Sequence, residues 1–280
     1  MPKGISLHIG LNKVDPHHYG GWDGQLAGCI NDAHDMQAMA DKLGYTSTIL
    51  LDEQATARKV SSAISRIAGK MAAGDIFLMT YSGHGGQVPD LNGDEAIRDM
   101  GEIGGEEDEY DETWVLYDRQ LVDDELWALW SKFPAKGRIA VLSDSCHSGT
   151  VSREPMLVRD GQAPPQSRRM PLDVEERTYR QNKTTYDRIQ KKIPPREAND
   201  VKATIALISG CQDNQTSADG QGNGLFTSRL MEVWNDGKFH GSIKALRAQT
   251  AARMPPFQTP NFYVVGARNP GYLRKRALVI

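Results

Sequence analysis

The sequence predicts an α/β fold with a mostly parallel central sheet and helices on both faces. Short apolar runs of strand length alternate with longer segments whose apolar residues recur every three or four positions. This alternation is typical of βαβ units and of strands that are buried on both faces. Two of the runs stop at glycine-containing turns, one with His84 and the other with Cys146. Ligands of open α/β sheets bind at that end of the strands, so we expect a site there.

The predicted elements follow the apolar spacing in chain order. Continuous apolar runs predict strands, which fall at 5–11, 48–51, 76–80, 138–142 and 203–209. Spacings of three and four predict amphipathic helices, which fall at 26–43, 60–71, 226–234 and 243–250. Gly44 and Gly74 are the expected ends of the first two helices, because glycine readily takes the left-handed conformation of a helix end. Two stretches lack such spacing: the acidic segment 90–125 and the polar segment 152–200, which is rich in Arg, Lys and Pro.

Composition narrows the class of protein. The 280 residues carry 33 basic and 36 acidic side chains, a net charge of −3, which gives no case for nucleic acid or an anionic membrane as the main partner. No apolar stretch is long enough to span a bilayer, and the polar first residues do not resemble a signal peptide. The three cysteines, Cys29, Cys146 and Cys211, indicate a reducing cytoplasm and no disulfide framework.

A cysteine and a distant histidine at strand ends predict nucleophilic catalysis. The attacking species is the thiolate, so Cys146 needs a base, and His84 is the candidate. The N–H groups of Gly85 and Cys146 are candidate donors to the oxyanion of the intermediate. Taken singly, Cys146 is more simply a core residue and His84 a loop residue. Their joint position at two strand ends favours catalysis.

Several motifs, in order, resemble those of the metacaspases and their prokaryotic relatives among the caspase-like cysteine peptidases. They lie at 28–33 (GCINDA), 81–86 (YSGHGG), 110–113 (YDET), 122–126 (VDDEL), 144–149 (DSCHSG) and 209–219 (SGCQDNQTSAD). The resemblance implies a caspase–haemoglobinase fold, a His84–Cys146 dyad, endopeptidase activity and a monomer. It also implies one catalytic domain made of a large-subunit-like region (1–151), a basic linker (152–200) and a small-subunit-like region (201–280).

By the same resemblance, the S1 pocket, which holds the substrate residue before the cut, consists of Cys29, Asp32, Ser82 and Asp144. Asp213 is expected to add negative charge. Carboxylates favour Arg or Lys at this position and disfavour Asp, and bidentate geometry favours Arg. The expected partners are therefore protein or peptide substrates with a basic residue before the cut.

Calcium is the one metal that the resemblance suggests, although the peptidase chemistry itself requires no cofactor. Asp111, Asp123 and Asp124 match metal-binding positions of the family, and carboxylate oxygens suit Ca²⁺. Arg153 stands where the family often has a further Asp, and a cation there opposes metal binding. The residues therefore leave the calcium requirement open.

The basic linker is a candidate processing segment. Arg168 and Arg169 follow a proline pair and are expected to be an exposed cleavage site, cut by the protein itself or by an activating protease with similar specificity. The alternative is a solvated loop or a helix packed on the surface. Two other functions stay open: a pseudoenzyme that only binds peptides, and another thiol hydrolase or acyl transferase, which an acidic pocket disfavours.

Overall fold

The computed structural model describes residues 1–91, 110–145, 166–193, 200–211, 217–220 and 222–280. The strands in these ranges are β1 (Gly4–Gly10), β2 (Thr46–Leu51), β3 (Ile76–Ser82), β4 (Gly85–Pro89), β5 (Tyr110–Val115), β6 (Gln120–Val122), β7 (Arg138–Asp144), β8 (Thr204–Ser209) and β9 (Asn261–Gly266). The helices are α1 (Cys29–Lys42), α2 (Ala57–Ala68), α3 (Asp123–Trp130), α4 (Leu172–Lys192), α5 (Leu225–Trp234), α6 (Ile243–Ala251) and α7 (Pro270–Arg274). None of these helices combines the length and apolar character of a membrane span.

Six of the described strands form a central sheet in the order β2-β1-β3-β7-β8-β9. The pairs from β2 to β8 are parallel, and β9 joins β8 in the antiparallel direction. This mostly parallel sheet confirms the predicted fold class. The register places Ser82 opposite Asp144 and Ser143 opposite Ser209, so β3, β7 and β8 end at the same edge. The turns that follow these strands therefore meet there.

Helices cover both faces of the sheet because alternate strand residues point to opposite sides. On one face Phe77 and Met79 belong to a hydrophobic cluster that includes residues of α2. On the other face Ile76 and Leu78 belong to a second cluster, with residues of α1, α5 and α6. All seven residues of β3 are buried, which explains why its sequence is a continuous apolar run.

Two predicted helix limits are wrong. Helix α1 begins at Cys29, although the apolar spacing starts at Leu26, because the Leu26 amide donates to the carbonyl of Asn12 and Leu26 is buried before the helix begins. Helix α2 ends at Ala68 and not next to Gly74. Met71 continues the apolar spacing, but its amide donates to Ile67 in a turn that leaves the helix. Gly74 has φ +90° in the turn that leads into β3.

The two stretches without apolar spacing hold regular structure in their described parts. Strands β4, β5 and β6 form a small antiparallel sheet beside the central one. Strands β5 and β6 lie within the acidic segment 90–125, and α3 begins there. In the linker, residues 172–192 form α4, which buries Val174, Thr178 and Tyr186. The surface helix, one of the two alternatives left open for the linker, is therefore correct for this part.

Candidate active site

His84 lies in the turn between β3 and β4, and its surroundings fix its tautomer. Its Nε2 is 3.1 Å from the carbonyl oxygen of Gly24. Because a carbonyl only accepts, Nε2 carries the proton and Nδ1 has the lone pair. Nδ1 is buried without a hydrogen-bond partner among the described residues. Gly24 has φ +59°, in the left-handed region that favours glycine, and this conformation directs its carbonyl at the ring.

Burial keeps the His84 ring neutral. It lowers the pKa of His84 to about 4, and the backbone of Gly24 opposes this only in part. The ring of Trp22 lies against His84, with centroids 4.7 Å apart. At neutral pH the imidazole is therefore uncharged, with a free lone pair on Nδ1. This is the form that a general base requires.

The backbone next to His84 is also fixed. The Tyr81 hydroxyl donates to the His84 carbonyl at 2.6 Å. The Gly85 N–H donates to the carbonyl oxygen of Arg168 at 3.0 Å. The predicted oxyanion donor thus holds a carbonyl of the protein's own linker.

The guanidinium of Arg168 is fully buried and lies among three carboxylates. Its Nη2 is 2.7 Å from Asp32 Oδ2 and 2.8 Å from Asp219 Oδ1, and its Nη1 is 2.9 Å from Asp144 Oδ2. Its Nε also donates to Asp219 at 3.2 Å, and Nη1 donates to Ser82 Oγ at 2.7 Å. Every nitrogen of the guanidinium therefore has an acidic or polar partner.

Donors other than Arg168 hold each of these carboxylates. Asp32 accepts from the Gly224 amide at 3.0 Å and from Ser82 at 2.6 Å. Asp144 accepts from the amide and hydroxyl of Thr227 at 3.1 and 2.9 Å. Asp219 accepts from the Ala27 amide at 2.6 Å and the Gly28 amide at 3.1 Å. Each carboxylate is thus also held by hydrogen bonds that do not involve Arg168.

Burial shifts the pKa values of ionisable side chains that line this pocket. It raises the pKa of Asp32 to about 6, although Arg168 acts in the opposite direction. Burial also raises the pKa of the Cys29 thiol, so this cysteine is an uncharged wall. Gly224 leaves the space that the guanidinium fills, because a Cβ at this position would lie 2.5 Å from three guanidinium atoms of Arg168.

Residues 166–170, here called the linker segment, lie extended between two backbone partners. On one side, the Arg168 amide donates to the Ser217 carbonyl at 2.9 Å and the Asp219 amide donates to the Gln166 carbonyl at 2.8 Å. On the other side, Gly85 donates to Arg168 and accepts from the Met170 amide at 2.8 Å. Backbone pairing of this kind is how an extended peptide is recognised at the edge of a strand.

The residue after Arg168 is held separately. Arg169 Nη2 is 3.1 Å from Glu175 Oε2 on α4, and Met170 is fully buried in the core. Burial raises the pKa of Glu175 to about 7, and Arg169 opposes this shift. The carbonyl of the peptide bond between Arg168 and Arg169 accepts from the amide of Gly85, the residue after His84, so this bond lies next to the backbone of the histidine turn.

The structure brings together four of the five predicted pocket residues: Cys29, Asp32, Ser82 and Asp144. Cys146 and Asp213 lie outside the described residues, so the dyad itself stays a prediction. Ser145, the residue before Cys146, is fully buried directly after β7, at the edge where His84 also lies. The expectation that Arg168 and Arg169 are exposed is wrong: their exposed fractions are 0% and 9% because acidic side chains neutralise both.

Two residues of this site were not predicted from the sequence. Asp219 stands in the quoted motif at 209–219, but its type and context did not distinguish it from Asp213. Gln258 lies far along the chain and has no motif. Its amide nitrogen donates to Ser217 Oγ at 2.8 Å and its oxygen accepts from the Ala218 amide at 3.0 Å. Gln258 therefore fixes the backbone that pairs with the linker segment.

The three predicted calcium ligands lie elsewhere. Asp111 is buried on β5, and Asp123 and Asp124 form the first turn of α3. Thr113 pairs with Val122, so the strand register brings Asp111 and Asp124 toward the same end of the β5–β6 pair. The described residues contain no group of three or more His, Cys, Asp or Glu side chains that could hold a metal. By themselves these residues therefore do not complete a calcium site.

Comparisons with known proteins agree with this geometry. A family model described as the caspase domain matches residues 8–275. Metacaspase-1 of Mycosarcoma maydis is 29% identical over 266 residues, which cover 82% of this chain and 62% of that protein. The chain thus spans about three fifths of the length of this curated relative.

Two solved structures are also similar. Protein GSU0716 from Geobacter sulfurreducens is 46% identical, with a TM-score of 0.85 over 98% of both chains. Caspase-1 from Spodoptera frugiperda has a TM-score of 0.54 over 95% of this chain and 86% of its own, at 11% identity, which supports the fold alone.

Proposed function

The chain belongs to the caspase-domain family of cysteine peptidases, and from this premise we propose that it is an endopeptidase that cleaves protein chains after arginine. The observation that carries the proposal is the position of Arg168. Its side chain fills an acidic pocket, and its carbonyl oxygen accepts from the amide of Gly85, the residue after His84. This is the arrangement expected of a substrate residue immediately before a scissile bond.

The chemistry follows from that arrangement. His84 Nδ1 takes the thiol proton of Cys146, and the thiolate adds to the carbonyl carbon before the scissile bond. The Gly85 N–H stabilises the negative oxygen. The carbon–nitrogen bond then breaks, and the leaving amine takes the proton from His84. Water, deprotonated by His84, hydrolyses the thioester, which yields a carboxylate and restores the thiol.

Arginine is favoured over lysine because the pocket contacts all three guanidinium nitrogens. Asp219 binds Nε and Nη2, Asp32 binds Nη2, and Asp144 binds Nη1. The single ammonium of lysine has no counterpart to Nε and cannot reach all of these partners at once. A substrate aspartate would add a fourth negative charge and is excluded.

The same geometry supports self-processing at the Arg168–Arg169 bond. Backbone hydrogen bonds hold the chain on both sides of this bond, and an arginine occupies the acidic pocket. Cleavage by a second protease is less well supported, because a buried peptide bond is inaccessible to another active site. A calcium requirement stays a prediction, since the described carboxylates alone do not complete a site.

The test uses matched fluorogenic peptides with Arg, Lys or Asp before the cut. With Arg168→Ala, which leaves the pocket free of the chain's own arginine, we expect hydrolysis of the Arg peptide, at least about tenfold slower hydrolysis of the Lys peptide and none of the Asp peptide. All turnover should be lost when Cys146→Ala is added. Each assay is run with calcium and with a chelator, and a rate unchanged by the chelator would remove the metal. Preference for Asp, or turnover that survives Cys146→Ala, would refute the proposal.

A further inference from the structure

The linker segment has a consequence for the enzyme after processing. We propose that Arg168 inhibits the chain both before and after the Arg168–Arg169 bond is cut, so that the pocket opens only when Arg168 itself leaves. This inference rests on the proposed function and concerns the regulation of the same site. It differs from a simple zymogen, in which the cut alone is the activating event.

The uncut chain cannot admit a substrate arginine. The side chain of Arg168 has no exposed surface and takes up the acidic groups of the pocket, and its carbonyl takes up the Gly85 donor. Backbone groups of Ser217 and Asp219, which would pair with a substrate, already pair with Arg168 and Gln166. A second peptide would have to displace all of these contacts.

The cut does not remove these contacts, because the two sides of the bond are held independently. On the first side, Arg168 is held by its ion pairs and by the backbone of Ser217, while Gln166 contacts Asp219 and the Gln25 carbonyl. On the second side, Arg169 is held by Glu175, and Met170 by Gly85 and the core. None of these interactions requires an intact bond between residues 168 and 169.

The product is also tethered. Arg168 follows Cys146 in the same fragment, so after the cut it remains joined to the sheet edge through residues 146–167. A covalent connection of this kind gives an effective concentration on the order of millimolar, and can strengthen binding about a hundredfold or more without a new contact. The new C-terminal arginine therefore competes with any substrate in solution.

The chemistry of this product defines the reaction that must follow. It is a peptide end with a terminal arginine carboxylate. Either a carboxypeptidase that prefers basic residues removes Arg168, or a second endoproteolytic cut in the linker, such as after Arg159, frees a short peptide that can diffuse away. Both reactions hydrolyse one peptide bond and consume one water.

The first test measures pocket occupancy without catalysis. The probe is p-aminobenzamidine, a fluorescent arginine mimic, added to chains that carry Cys146→Ala and so stay uncut. We expect binding to be at least about tenfold weaker in Cys146→Ala than in the Cys146→Ala/Arg168→Ala chain. Equal binding by the two chains, or no binding by a folded double variant, would overturn the inference.

Arg168→Ala leaves three buried carboxylates without their cation, so a second variant guards against misfolding. Arg168→Lys keeps the charge but loses part of the hydrogen bonding, and it should bind the probe with intermediate affinity. Probe affinity that is lowest with Arg at position 168, higher with Lys and highest with Ala supports the inference. An order that does not follow the residue at 168, in chains with the same far-ultraviolet circular dichroism spectrum, counts against it.

The second test uses the wild-type chain after self-processing, with the cut verified by intact mass. Treatment with a basic-specific carboxypeptidase should remove Arg168 and raise hydrolysis of the Arg peptide at least about tenfold. Full activity before trimming would overturn the inference. A chain that shows the expected probe binding but hydrolyses no peptide would instead refute the proposed activity and leave the self-occupied pocket standing.

Discussion

Arg168 shows how a buried charge can be tolerated. Removing one partner from a buried ion pair typically costs about 3–5 kcal/mol, because the other partner stays desolvated. Here three carboxylates surround one guanidinium, which leaves an excess of negative charge. Hydrogen bonds from the backbone amides of Ala27, Gly28, Gly224 and Thr227 to the carboxylates stabilise part of that excess. The pocket is thus suited to a cation and strongly unsuited to an anion.

Asp219 should contribute as much to arginine binding as the two predicted carboxylates. In an Arg168→Ala background, which opens the pocket, Asp219→Asn should lower kcat/KM for the Arg peptide about ten- to a hundredfold, because it removes charge-assisted hydrogen bonds. Asp35→Asn is the matched control, since Asp35 is exposed on α1. Equal kcat/KM values for the two variants would show that Asp219 does not contribute to arginine binding.

His8 predicts one component of the pH dependence of stability. Burial lowers its pKa from 6.5 to about 4, with Asp41 opposing. The unfolded chain then binds more protons between these values, so His8 makes stability fall as pH falls from 6.5 towards 4. Between pH 7 and pH 4.5, wild type should lose about 2 to 3 kcal/mol more unfolding free energy than His8→Asn.

The measurement is urea denaturation at both pH values, with the exposed His240→Asn as the control. Comparing the variant with wild type cancels Asp32 and Glu175, whose raised pKa values act in the opposite direction. A His8→Asn chain that loses as much stability as wild type would contradict the assignment.

At the scale of single residues, Asp32, Ser82 and Asp144 could be named because they stand in motifs that resemble those of a known family. The structure shows that Ser82 and Asp144 are the last residues of two paired strands. Arg168 was named as an exposed cleavage site, and its burial in the pocket was not predicted. A buried arginine in a polar stretch leaves no apolar spacing, and its burial depends on charges from three distant segments. The sequence could indicate that an acidic pocket exists, but not that the chain fills it.

Helix α5 begins at the pocket, and its first residues set the size of the site. Gly224 precedes α5 with φ −60°, so alanine fits its backbone. The added Cβ would however meet the Arg168 guanidinium at 2.5 Å. Gly224→Ala should therefore slow self-cleavage about a hundredfold or more, because misplacement at an active site by an ångström costs this much.

Gly222→Ala is the control for that variant. It lies two residues earlier, and a Cβ there has no neighbour within 4 Å. The readout is the rate of self-cleavage by intact mass after each chain is refolded from denaturant. Equal self-cleavage rates in the two alanine variants would mean that the position of the Arg168 guanidinium does not depend on the absence of a side chain at Gly224.

Among the elements, the strands of the central sheet were predictable because burial on both faces demands continuous apolar runs. Helix α4 was not, since it buries Thr178 and Gln190 together with Val174 and so shows no clean apolar stripe. Strand β9 was also missed. It lies at the edge of the sheet with partly exposed residues, and an edge strand needs no apolar run.

For the molecule as a whole, the structure predicts that processing is intramolecular. Arg168 occupies the pocket of its own chain, so the first-order rate constant of self-cleavage should not change over about a hundredfold dilution. Intact mass after timed incubation gives the rate. In a mixture, a tagged Cys146→Ala chain should stay uncut beside wild type, and its cleavage would reveal reaction between molecules.

The segment that presents Gly24 to His84 also presents Ala27 and Gly28 to Asp219. In the proposed enzyme, recognition of arginine and orientation of the base are thus joined through five consecutive residues, 24–28. A ligand that draws Asp219 into place also steadies the carbonyl that sets the imidazole tautomer. Interactions of this kind lower the barrier of the chemical step and not only the Michaelis constant. Substrates that replace arginine by its uncharged isostere citrulline should consequently turn over slowly even at saturation.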